Sequence, residues 1–302
     1  MHIATCIERL EDICAKEVKG KKIFPGRVQF DGKVKDFKSV IHVYKLIKKF
    51  KFKKIEDIVG QIKKYPIKGK FRVVCERKGE HGFNSFEVQG KLAKHLVSLG
   101  FEPDIKKPET TVFVDIIDDN CLIGILIKEN IHKREYRLKL TAENINANLA
   151  YALLSLVKCN KKSVIVDPFC RDGVICIEAA RLGAKVYGFH QNTRNARINA
   201  KIAKVEIDLS NKELDWLDTN FSKKSVTIVS YIPSHSKNKP FDEMDKFVKE
   251  LFHQAEYVVK KNIGLISQKE DLILMYSTKF KLVDKREINI GESKYFMYIL
   301  KR

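Results

Sequence analysis

The spacing of apolar positions changes along the chain, and the changes mark its elements. Ser163-Val164-Ile165-Val166-Asp167 is β-branched and uninterrupted, which predicts a short buried strand. Residues 174–182, with Ile175, Ile177, Glu178, Ala179 and Ala180, suit a helix lying on a sheet, and Gly183-Ala184 ends it. Lys185-Val186-Tyr187-Gly188-Phe189 is the next predicted strand. Strand, tight turn, helix and strand make the first half of a nucleotide-binding α/β domain. A ligand is expected where the turn meets the helix N-terminus. A further strand follows at 226–230, and two extended runs, 280–288 and 295–300, close the chain.

The N-terminal half has a different rhythm. A strand at 2–6 leads into an amphipathic helix bearing Leu10, Ile13, Cys14 and Val18, which Gly20 ends. Val28-Gln29-Phe30 is extended, and the Lys-rich run 40–49 predicts a helix. Residues 70–77 and 111–118 predict strands on either side of a helix at 85–99, closed by Gly100. The run 121–127 pairs with the strand before it through the turn Asp118-Asp119-Asn120. A connecting helix at 141–157 carries Leu149, Ala152, Leu153 and Leu156 on one face. The expected organisation is an α+β region at 1–52, a second α+β block at 53–140, a linking helix at 141–160 and a doubly wound α/β domain at 161–302.

Composition narrows the classes. A hydrophobic fraction of 44% over 302 residues suits folded domains with cores of their own. No apolar run is long enough to span a bilayer, and the N-terminus lacks the pattern of a secretory signal, so a cytoplasmic protein is expected. The seven cysteines are scattered and form no Cys-x-x-Cys pair, which speaks for reduced thiols and against a disulfide scaffold or structural zinc. No metal site is expected. The 58 basic residues against 38 acidic give a net charge of +20, a surface that attracts polyanions.

Asp167-Pro168-Phe169-Cys170-Arg171-Asp172-Gly173 resembles motif I of the Rossmann-fold methyltransferases that modify guanosine N2 in tRNA, which reads D-P-F-C-G-S-G-T. Arg171 stands for the first glycine of that motif and Val174 for its threonine. The N-terminal half resembles the ferredoxin-like region and THUMP domain of tRNA-modifying enzymes. Three places carry that likeness: Ala4-Thr5-Cys6 to Leu10-Glu11-Asp12-Ile13, Phe71-Arg72-Val73 to Arg77-Lys78-Gly79-Glu80-His81, and Gly124-Ile125 to Lys133-Arg134-Glu135-Tyr136-Arg137. The resemblance implies a class I methyltransferase-like domain behind a tRNA-binding module. In that setting Arg77, Lys78, Lys133, Arg134 and Arg137 are candidates for phosphate contact.

By the same resemblance S-adenosylmethionine would meet Asp167, Phe169 and Gly173, a residue after the second strand, and an acidic residue after the third. His190 stands after Gly188-Phe189, where a carboxylate for the ribose hydroxyls is usual. Asp215 supplies the acidic residue near adenine. The family's N-P-P-Y or D-P-P-Y tetrapeptide aligns with Tyr231-Ile232-Pro233-Ser234, which keeps one proline and lacks the amine acceptor. Tyr231 and Pro233 are what remains of a catalytic motif, and His235 is a solvated loop residue. The expectation is a tRNA-binding relative with weak or absent cofactor binding and lost or weakened methyl transfer. The alternative is an active S-adenosylmethionine-dependent tRNA (guanine-N2-)methyltransferase with an atypical site. A nicotinamide dehydrogenase is disfavoured because the turn lacks G-x-G-x-x-G.

Overall fold

The computed structural model describes residues 1–61, 66–141, 143–212, 214, 217–232, 241–268 and 271–302. They form two compact units, one of Met1–Cys6 with Cys14–Ile131, the other of Ile7–Ile13 with His132–Arg302.

In chain order the elements of the N-terminal half are β1 (His2–Cys6), α1 (Glu11–Val18), β2 (Lys21–Phe24), β3 (Arg27–Phe30), β4 (Val40–Lys51), α2 (Ile55–Gly60), β5 (Phe71–Lys78), α3 (Ser85–Ser98), β6 (Thr110–Ile117) and β7 (Asn120–Lys128). The strands make one seven-stranded sheet in the order β2-β3-β1-β4-β7-β6-β5. Only β5 and β6 pair in parallel, and α3 is the crossover between them. Val88, Leu92 and Leu96 of α3 share a core with Phe71, Val73 and Cys75 of β5 and Val112, Val114 and Ile116 of β6. The start of α3 is fixed reciprocally. The Asn84 side chain accepts from the Glu87 amide at 3.0 Å, and Glu87 accepts from the Asn84 amide at 2.8 Å.

Residues 40–49 are not a helix. They belong to β4, a twelve-residue strand paired antiparallel with β1 and β7 at the centre of the sheet. Val40, Ile41, Val43 and Ile47 favour that conformation. The ladder to β7 slips between Leu46 and Lys48, and the neighbouring Lys48 and Lys49 are both exposed. A slip of this kind interrupts the strict alternation by which a strand is recognised.

The other half continues with α4 (Ala147–Leu156), β8 (Val164–Asp167), α5 (Val174–Arg181), β9 (Lys185–Phe189), α6 (Arg194–Ala203), β10 (Asp208–Ser210), α7 (Leu217–Asn220), β11 (Val226–Tyr231), α8 (Phe241–Val258), β12 (Val259–Ser267), α9 (Asp271–Tyr276), β13 (Lys281–Ile290) and β14 (Ser293–Lys301). The sheet order is β10-β9-β8-β11-β12-β14-β13. The first five strands run parallel, and β14 enters antiparallel between β12 and β13. From β8 the chain steps outward through β9 and β10, then returns to place β11 on the other side of β8. The β8–β11 boundary is therefore the topological switch point, where an open α/β sheet leaves a crevice at its carboxyl edge. Ile165, Val166, Ile177, Val186, Ile228 and Val229 are buried, as the apolar runs predicted, and Val164 is half-buried. The connecting helix is shorter than its pattern suggested. Asn146 caps α4, accepting from the Asn148 amide at 2.8 Å.

Candidate functional site

The carboxyl ends of β8 and β11 meet at Asp167 and Ser230. The Ser230 hydroxyl donates to Asp167 Oδ1 at 2.6 Å, and the Phe169 amide donates to the same oxygen at 3.1 Å. Asp167 is buried, and burial pushes its carboxyl up to about 6 against the pull of these two donors and the Arg171 charge. The sign of the consequence follows. The native state holds this proton more tightly than the unfolded chain, so the contribution to stability is complete below about pH 4 and is lost as pH rises to about 6. Asp167→Asn keeps the oxygen that Ser230 and Phe169 need. Its melting temperature relative to the parent should therefore rise between pH 4.5 and pH 7. A difference that stays flat across that range would assign the proton elsewhere.

The turn after β8 keeps the left-handed backbone that its motif requires, yet with an arginine in it. Gly173 sits at φ 81°, a backbone conformation that favours glycine, and a Cβ there would also crowd the Ala196 Cβ of α6 at 3.0 Å. Arg171 also has a positive φ, 46°, which is unfavourable for a residue with a Cβ. Its guanidinium turns inward. Nη1 donates to the Tyr231 carbonyl at 2.6 Å and to the Phe169 carbonyl at 3.3 Å. Nε and Nη2 each lie 3.3 Å from Glu143 Oε2, and the cation stands 4.7 Å from the centre of the Tyr231 ring. The Arg171 side chain is 7% exposed. Arg171 thus reaches from the β8 turn to the end of β11, across the switch point.

What remains around it is a small crevice lined in part by Glu143, Asn144, Asp167, Phe169, Asp172 and Tyr231, with an empty volume of about 190 Å³. Asp172, beside Gly173, pairs with Arg137 at 3.1 Å, and burial raises its carboxyl above the usual range. Phe169 packs on Phe247 with ring centres 4.0 Å apart. Tyr231 is buried, and its ring meets Tyr295 edge to face. His190 is half-buried at the end of β9, where its Nδ1 lies 3.0 Å from the Asn192 carbonyl oxygen and 3.2 Å from the Asn192 amide. Pro233, His235 and Asp215 lie outside the described residues. The structure brings Asp167, Phe169 and Tyr231 to one crevice, and Gly173 belongs to the turn beside it without lining it. Glu143 lines it as well and Ser230 bonds Asp167 behind it, neither with any signal in the sequence, since neither stands in a recognisable spacing to the turn.

A model of the RMKL-like methyltransferase domain matches residues 134–295, and a THUMP domain model matches residues 37–126. The chain belongs to the RMKL-like methyltransferase family. Among curated relatives, the tRNA (guanine(6)-N2)-methyltransferase of Thermus thermophilus is 33% identical over 37% of this chain and 34% of its own length. The enzyme of that name from Archaeoglobus fulgidus is 26% identical over 59% of this chain and 52% of its own. The human U6 snRNA (guanine-N(2))-methyltransferase THUMPD2 is 25% identical over 73% of this chain and 43% of its own. The chain thus matches between a third and about half the length of these three relatives. In fold, TrmN from Thermus thermophilus superposes with a TM-score of 0.81 over 100% of this chain and 99% of its own, at 19% identity. SMU.472, solved as a complex with SAH, reaches 0.78 over 99% and 97%, also at 19%. These two likenesses establish the fold.

A methyltransferase domain of this family implies S-adenosylmethionine, and in the crevice where such a ligand is expected the Arg171 side chain lies across to Tyr231. No carboxylate follows β9, because His190 occupies that place and its Nδ1 is turned to its own loop. The residues that would approach such a ligand are the backbone of the Gly173 turn, Phe169 and Asp167.

The basic residues of the THUMP-like motifs divide on structure. Arg134 donates from Nε to Glu178 at 3.0 Å, and its side chain is 7% exposed. Arg137 binds Asn144 and Asp172. Both were expected to face phosphate and instead neutralise buried carboxylates of α5 and its preceding turn, so their charge is already compensated. Tyr136 between them is buried, and its hydroxyl donates to Glu178 at 2.8 Å. Arg77 is half-buried, its Nη1 donating to the Gly79 carbonyl and lying 2.9 Å from His81 Nδ1. Lys78 and Lys133 are exposed. No helix among the described residues is long and apolar enough to cross a membrane, and no metal-ligating cluster is found among them.

Proposed function

We propose that this chain binds tRNA through phosphate contacts and carries a methyltransferase domain whose use of S-adenosylmethionine is weakened. The observation that carries the reading is a THUMP match joined to a methyltransferase domain on a chain of net charge +20. The relatives with these domains bear the names of RNA guanine-N2 methyltransferases. The weakening is supported by Arg171 in the motif I turn, His190 in the place of a ribose carboxylate, and the sequence Tyr231-Ile232-Pro233-Ser234 in the place of the N-P-P-Y or D-P-P-Y tetrapeptide. An exocyclic amine that is not oriented loses the positioning on which methyl transfer depends.

The test is a filter-binding titration of unmodified tRNA over a range of salt. With several phosphates neutralised, affinity should fall about linearly in log–log form, by a factor on the order of 10³ or more between 50 and 200 mM. Lys78→Gln and Lys133→Gln should each lower the slope by about one. Arg134→Gln should leave the slope of the folded fraction unchanged. Affinity independent of salt would remove the RNA-binding reading.

A second reading, an active methyltransferase with an atypical site, is favoured by the retained Gly173 turn and the intact Asp167–Ser230 tie between the two central strands. Incorporation of labelled methyl from S-adenosylmethionine into unmodified tRNA separates the two. Turnover by the parent chain, abolished on altering Asp167, would establish the second reading.

A further inference from the structure

We propose that Arg171 is a latch: its guanidinium closes the switch-point crevice, and the crevice admits an adenosyl ligand only in molecules where the Arg171–Glu143 and Arg171–Tyr231 contacts are broken. The proposal rests on the reading that this domain descends from an S-adenosylmethionine site. It goes further, to a single side chain that decides whether the site is open.

Three observations carry it. The first is place. Arg171 leaves the turn after β8 and ends on the carbonyl of Tyr231, the last residue of β11, so it crosses the gap where this sheet order leaves room for a ligand. The second is how completely the guanidinium is held. All three of its nitrogens are engaged, on two backbone carbonyls and one carboxylate, and its flat face covers the Tyr231 ring. A side chain placed only to stay soluble would reach outward, whereas this one is 7% exposed. The third is that the latch has a wet end. Glu143 is 34% exposed, so its pair with Arg171 sits at the mouth of the crevice, while the Tyr231 contact lies deeper. An ion pair at 3.3 Å with one half-buried partner is the weaker of the two attachments. The latch would therefore open from the Glu143 side.

Arg171 also holds its backbone at φ 46°. Glycine at this position would relieve that conformation and empty the crevice together, so Arg171→Gly is expected to fold. When a binding-competent state is a minor one, the measured affinity drops by the fraction that is competent. A latch closed in most molecules lowers affinity without altering the open site.

The experiment is calorimetric titration of S-adenosylhomocysteine into the full chain, its Arg171→Gly and Arg171→Ala variants, and Glu143→Gln. Arg171→Gly should bind tighter than the parent by about tenfold or more. Glu143→Gln keeps the guanidinium and weakens its outer attachment, so it should gain a smaller factor. Neither change should alter the salt slope of tRNA binding. If Arg171→Gly binds no tighter than the parent, or loses affinity, the latch is wrong. If parent and variants alike fail to bind while tRNA binding persists, Arg171 is not what excludes the ligand and the latch fails while the RNA reading stands. If S-adenosylhomocysteine binds tightest to Arg171→Gly and tRNA binds to none, the latch holds and the RNA reading falls.

Discussion

Glu178→Ala should cost about 3–5 kcal/mol of stability, the scale for removing one partner of a buried ion pair. Glu178 lies on α5 with 0% exposure, and one of its oxygens accepts from both the Arg134 Nε and the Tyr136 hydroxyl. Burial, and after it the Glu178 charge, drives the Tyr136 phenol upward, so the hydroxyl stays a donor at any ordinary pH. Truncating the glutamate leaves a guanidinium and a phenol without their acceptor in a place water does not reach, and that loss exceeds the value of the pair itself. Glu178→Gln retains an acceptor and should cost less. In urea, the midpoint should move down with the slope unchanged. A loss below about 1 kcal/mol, the size of a surface ion pair, would mean that the Lys133-Arg134-Glu135-Tyr136-Arg137 run is a loosely held surface segment after all. Its arginines would then be free for phosphate.

Asp115→Ala should be of similar size in the other unit. Asp115 is fully buried on β6 and receives Arg27 through two bonds of 2.6 Å, from Nε and Nη2, with the Tyr44 hydroxyl at 2.9 Å on the same carboxylate. This fork-to-fork geometry is the strongest form of the pair. It ties β3, β4 and β6, which are not neighbours in the sheet order β2-β3-β1-β4-β7-β6-β5. Burial comes first in raising the Tyr44 phenol and the Asp115 charge second, while Asp115 raises the Arg27 guanidinium against its desolvation. Tyr44 thus keeps its proton and Arg27 its charge through the accessible pH range. About 3–5 kcal/mol should be lost, and amide exchange should quicken first along β3, β4 and β6. If Asp115→Asn and Asp115→Ala both leave exchange in β4 unchanged, the network is ornamental to the sheet.

Both clusters show why basic residues read along the sequence are a poor map of exposed positive charge. Arg134 and Arg137 look like the business end of a THUMP module because they follow a strand and stand among other cations. Their partners are Glu178, 44 residues later, and Asp172, 35 residues later. No local pattern links positions so far apart. The pairing exists because helix α5 and the turn before it present two carboxylates that are buried on folding and must be compensated. Lys78 and Lys133, with no more distinctive a sequence context, remain exposed.

By itself the sequence determined five of the seven strands of the doubly wound half, missing the short β10 and the central β12. Parallel strands buried on both faces are written as continuous β-branched runs, and Val164 to Asp167 and Val226 to Tyr231 are such runs. It also determined the family, because motif I is local: a strand, a turn and a helix start within eleven residues. Tertiary structure decided the rest. It made a strand of 40–49, where lysine spacing mimics a helix, because β1 and β7 offer that segment two ladders of hydrogen bonds and a lone helix offers no core. It also decided what the arginine in motif I does. The substitution is plain in the sequence, but whether that side chain points to solvent or bars the crevice depends on an acceptor 60 residues away at the end of β11. A residue's identity fixes what it can bond to, and only the fold fixes which partner comes within reach.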